Sequence, residues 1–127
     1  MITTLLLLAA AATTPALPAV TPDTLDFEAA KALADRDEKA MTKLAADAMK
    51  KSQWGVLARA TEACRTDEKP APFTVVLELD AAGKATRHWR DSETGLAKCM
   101  DDKLARQPFY IPGKAPFYIS FEVTFAP

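Results

Sequence analysis

The chain has 127 residues, enough for one domain and short of two, and 49% of them are hydrophobic, which is ordinary for a protein that builds a core. A formal net charge of −1, with basic and acidic residues interspersed, provides no basic stripe for a nucleic-acid backbone and no polybasic patch for anionic lipid. Nucleic-acid binding is therefore disfavoured.

Met1-Ile2-Thr3-Thr4 leads into Leu5 to Leu8 and Ala9 to Ala12, and no charged side chain occurs before Asp23. This predicts the core of a signal peptide, although its first residues carry no Lys or Arg. Ala16-Leu17-Pro18-Ala19 fits the small-residue cleavage rule, so residues 1–19 are expected to be removed and the mature chain to begin at Val20. The apolar run is too short to span a bilayer, and no cysteine marks a lipid attachment point. The expected address is periplasmic or secreted, without a stable membrane anchor. Cys64 and Cys99, the two cysteines of the chain, are then expected to form a disulfide.

Residues 20–127 read as one α+β domain. Leu25 to Lys50 holds neither Gly nor Pro and repeats apolar residues at helical spacing, interrupted by Asp35-Arg36-Asp37-Glu38-Lys39. One long helix with a solvated charge run is favoured over two shorter ones. A new helix is expected from Ser52, as a cap, to about Arg65, completing a helical arm over 20–65. Whether the arm packs on the domain or projects from it is open.

After Pro72 the period changes to two. Phe73, Val75, Leu77 and Leu79 share one face of a strand, Gly83 supports a tight turn, and Lys84 to Arg90 returns as its hairpin partner. Leu96, Cys99, Met100, Lys103 and Leu104 form the expected inner stripe of a helix ending before Pro108, with Lys98, Asp101 and Asp102 outside. Phe117, Ile119, Phe121, Val123 and Phe125 alternate with Tyr118, Ser120, Glu122 and Thr124 in a final strand. The order is N-terminal helices followed by a β-β-α-β unit over 73–125. Its predicted architecture is a three-stranded antiparallel sheet with helices on one face.

Candidate chemistry is sparse. His88 is the single histidine, lies mid-strand and has no recognisable nucleophile motif beside it, so a catalytic role is disfavoured and the chain is read as not an enzyme. The acidic clusters Asp35/Asp37/Glu38 and Asp101/Asp102 lack the spacing of a calcium loop and read as solvated helix faces. No metal or other cofactor is expected. The Pro-bounded loop Gln107 to Lys114 carries Phe109, Tyr110 and Ile111 in succession, and such side chains serve either as interface anchors or as part of the domain's own core.

The segment from about Cys64 to Phe125 resembles the C-terminal domain of TonB-like proteins. The resemblance rests on a strand, the Gly83-Lys84 turn, a second strand ending near Asp91-Ser92, a Cys99-containing helix, an aromatic and proline loop, and a last strand ending Val123-Thr124-Phe125. It is similar in particular to periplasmic variants with one cysteine before the first strand and one in the helix. Gln107-Pro108-Phe109 stands where such domains commonly carry a Trp after the helix, and the chain has no long Pro-rich spacer, so energy transduction is not implied.

What the resemblance implies is pairing of an exposed sheet edge with an extended protein segment, with Tyr118, Ser120 and Glu122 of the last strand at the candidate edge, for a protein partner or for a homodimer. The expected function is a non-catalytic exported protein-binding module. The alternative is a small periplasmic inhibitor or immunity protein that acts on an exported enzyme through Phe109, Tyr110 and their loop.

Overall fold

The computed structural model describes residues 25–126, so the expected signal peptide over 1–19 lies outside the described residues. Helix α1 (Phe27–Lys39) and helix α2 (Lys43–Ala63) precede strands β1 (Phe73–Leu79) and β2 (Ala85–Arg90), helix α3 (Gly95–Ala105) and strand β3 (Phe117–Val123). The sheet is antiparallel with the order β2-β1-β3. The α+β class and the three-stranded sheet are those expected from the sequence.

The helical arm divides at a different place from the one expected. Thr42 adopts an extended backbone and its side chain accepts from the Ala45 N–H, so it caps α2, which then runs straight through Ser52. The reason for the break is tertiary. α2 packs through Met49, Val56 and Ala60 against one sheet face with α3, whereas α1 lies on the other face. One straight helix cannot reach both, and residues 40–42 turn the chain round the β3 edge.

The helices therefore share one face only for α2 and α3; α1 adds a third layer. The larger core is built from Phe73, Val75, Leu77 and Leu79 with Phe117, Ile119 and Phe121, covered by Met100 and Leu104 of α3. Complete burial of such side chains is worth about 1.5–3 kcal/mol each. The second core places Val76 and Tyr118 against Ala30 and Ala34, with Leu33, Phe27 and Trp89 around them. Two fully buried alanines one turn apart let α1 approach the strands closely.

The β1–β2 turn depends on Gly83, whose φ is +78°. A Cβ there would lie 1.9 Å from the Phe109 carbonyl oxygen, and the Gly83 carbonyl accepts the Phe109 N–H at 2.8 Å. No larger residue fits without moving the loop after α3. Cys64, at the end of α2, is bonded to Cys99 in α3, as the sequence led us to expect. That disulfide ties the two covering helices together and is the mark of an oxidising, extracytoplasmic compartment. Among the described residues no helix is long and apolar enough to cross a membrane.

Candidate partner-binding surface

A three-stranded sheet has two outer edges, and the hydrogen-bond alternation decides which main-chain groups each presents. Thr74 and Asp91 exchange bonds at one end of the hairpin, where the Asp91 N–H donates to the Thr74 carbonyl and the Thr74 N–H to Asp91 Oδ1. Stepping by two along the register, Trp89 and Arg87 face β1, whereas the N–H groups of His88 and Arg90 point to the free edge of β2. On β3 the same counting turns the N–H groups of Tyr118, Ser120 and Glu122 outward.

The β3 edge is closed from within the chain at two of these three donors, those of Tyr118 and Ser120. Asp37 Oδ2 accepts the Tyr118 N–H at 3.0 Å, and Glu38 Oε2 accepts the Ser120 N–H at 3.1 Å, with the Ser120 hydroxyl on the other Glu38 oxygen. Consecutive carboxylates in the last turn of α1 thus occupy consecutive outward donors. The Asp37 side chain is 1% exposed and also takes Lys114 Nζ at 2.8 Å and Arg36 at 2.9 Å. Burial pushes the Asp37 carboxyl up, but the bonds from Lys114, the Tyr118 main chain and Arg36 together hold it below its ordinary value. Glu38 goes the other way, raised by its burial.

These positions correct the reading of residues 35–39 as a solvated run. Asp37 falls on the same helical stripe as Ala30 and Ala34, at i, i+4 and i+7, and that spacing is the sequence signal that places it inward. They also relocate the expected outward row of β3. Tyr118 is buried under α1, and its hydroxyl donates to Glu78 Oε2 at 2.7 Å. Ser120 is half-buried, and Glu122 is exposed but paired with Lys31 at 3.0 Å.

The β2 edge differs. Among the described residues no side chain or main-chain group caps the outward N–H groups of His88 and Arg90. A bulge between Glu78 and Leu79 of β1 leaves Thr86 as the extra residue near the turn. On one side of this edge, His88 Nδ1 lies 2.6 Å from Asp101 Oδ1 and Arg90 donates to Asp101 Oδ2 at 2.7 Å and to Glu93. Asp101 is thus not on the outer face of α3 but buried, on a stripe with Ala97, Met100 and Leu104, while Lys103 is exposed. On the other side, Arg87 lies over the Trp89 ring and grips both Glu78 oxygens, at 2.7 and 3.0 Å. The Arg87 guanidinium, with further bonds from Tyr118 and Thr86, holds the Glu78 carboxyl down to about 2. Among the described residues no nucleophilic side chain is bonded to His88 or Asp101, and the contact satisfies a buried carboxylate.

In the loop after α3, Phe109 belongs to the core, its ring 5.6 Å from that of Phe121. Tyr110 is 41% exposed, with its N–H held by Ser52 of α2. Between the anchor role and the core role read from the sequence, the loop splits: Phe109 goes inward and Tyr110 stays out. Groups of three or more residues able to hold a metal ion are absent among the described residues. No protein-family model, curated protein or solved structure matches the chain.

Proposed function

We propose that the chain is a non-catalytic protein-binding module of the periplasm or the secreted fraction, and that it receives an extended partner segment along the free edge of β2. The observation that carries this reading is the asymmetry of the two edges. On β3 two of the three outward donors, those of Tyr118 and Ser120, are occupied by Asp37 and Glu38, while both of those named on β2, His88 and Arg90, have no partner among the described residues. An unpaired edge is a template for strand addition, and one edge blocked by side chains channels pairing to the other. The resemblance of residues 64–125 to TonB C-terminal domains supports the same mode. The proposed contact thus moves from the β3 row to β2.

The test is site-specific photocrosslinking in the native compartment, with the reactive side chain placed at Thr86, Glu122 or Tyr110 in separate samples. Crosslinking from Thr86 alone, with the His88 and Arg90 amides becoming slow to exchange when the captured partner is added back, supports strand addition at β2. Crosslinking from Tyr110 alone favours the inhibitor-type reading through the loop, and from Glu122 alone places the partner on β3.

A further inference from the structure

A cleft of about 590 Å³ lies between the α1–α2 turn and the loop preceding β3, away from the β2 edge. Its apolar wall includes Met41, Ala45, Tyr110, Ile111 and Phe117. At one side stand Asp37 and Lys114. The volume is in the range of small-molecule sites, which combine an apolar lining with a few convergent polar groups.

The charge at that side is not balanced. Arg36 and Lys114 both converge on the single Asp37 carboxylate, whose remaining oxygen is taken by the Tyr118 N–H. Two cations against one anion leave one net positive charge, and both cationic side chains are 57% exposed with donors to spare. The first turn of α2, which borders the cleft through Ala45, carries no acidic residue to offset it. An anionic head beside an apolar body matches this distribution; a cationic or neutral head does not.

We propose that this cleft binds a free amphipathic carboxylate, an aliphatic chain lying along Met41, Ala45, Ile111 and Phe117 with its carboxylate on Lys114 and Arg36. The buried Asp37 is a positioning residue, holding Lys114 at the side of the cleft and Arg36 next to it on the same carboxylate oxygen. The site is independent of the β2 edge, so either proposal stands without the other.

Decanoate is the probe, titrated below its micelle concentration into the full mature chain, with calorimetry for affinity and amide NMR for location. The expected result is a dissociation constant under about 1 mM, with the largest shifts at Ala45, Gly113 and Lys114, and binding of decanol and decyltrimethylammonium weaker by about tenfold or more. Lys114→Gln is expected to weaken decanoate by about tenfold without changing decanol. Ala45→Phe, which fills the cleft while leaving every charge in place, is expected to abolish binding and decides the matter should Lys114→Gln not fold. Equal binding of decanoate and decanol, shifts centred elsewhere, or no binding at all would overturn the proposal. So would a peptide with a free C-terminal leucine binding more tightly than decanoate, which would make the occupant a polypeptide end.

Discussion

The Asp37 carboxylate and the Tyr118 main-chain N–H, 81 positions apart in sequence, form a buried 3.0 Å hydrogen bond that locks α1 to the outer strand of the sheet. Glu38 repeats the arrangement at Ser120. The pair shows how one helix both covers a sheet face and closes that sheet's edge.

Asp37→Ala removes the acceptor and leaves a buried N–H unpaired. The expected loss is about 2–3 kcal/mol of unfolding free energy, measured in urea. The double variant Asp37→Ala, Glu38→Ala is expected to self-associate, by light scattering, because the Tyr118 and Ser120 donors then join that of Glu122 in a continuous free edge on β3. A monodisperse, fully stable double variant would show that these bonds do not guard the edge.

Acid should act through Glu78. Its folded carboxyl is held at about 2, below the ordinary 4.5, chiefly by the Arg87 hydrogen bonds. A depressed carboxyl contributes stability that is fully present above the unfolded value and is lost as pH falls through the folded one, so this contribution should decline between pH 4.5 and 2. Asp37 shifts in the same direction, and Glu38, being raised, opposes them. Glu78→Gln is expected to cost about 2 kcal/mol at neutral pH, allowing for solvent screening at the part-exposed Arg87, and to flatten the acid limb of a denaturation series. An unchanged acid limb would remove Glu78 from this role.

Two neighbouring aspartates should behave oppositely. Asp101 is buried between His88 and Arg90, so Asp101→Ala leaves Arg90 without its inner partner and is expected to cost about 3 kcal/mol. Asp102 is half-exposed and, among the described residues, paired only with Arg106 within the helix, and Asp102→Ala is expected to change stability by less than about 0.5 kcal/mol. Thermal denaturation of the two variants side by side provides the comparison, and equal effects would contradict the burial of Asp101.

Replacing Cys64 and Cys99 together by serine opens a loop with a sequence separation of 35. The expected loss is about 4 kcal/mol by loop-closure entropy, a large share of a small domain's stability. The melting temperature should fall to the same degree on reduction of the native chain, and insensitivity to reductant would mean that the core alone holds α2 against α3.

Local periodicity in the sequence determined the strands, the Gly83 turn and the two cysteines that meet. Phe73 to Leu79 and Phe117 to Val123 alternate because a strand turns successive side chains to opposite faces, a rule that needs no knowledge of neighbours. What local pattern could not assign was which element covers which face. The charges at Asp37, Glu38 and Asp101 looked solvated because an isolated helix exposes every side. Their burial became favourable only when the Tyr118 and Ser120 N–H groups, His88 and Arg90 arrived from distant strands to satisfy them. The division of the arm at Thr42 has the same origin, since two helices are needed to cover two faces of one sheet. Apolar burial and backbone geometry act at short range and are written in the sequence; the pairing of polar groups across more than eighty residues is a property of the assembled fold.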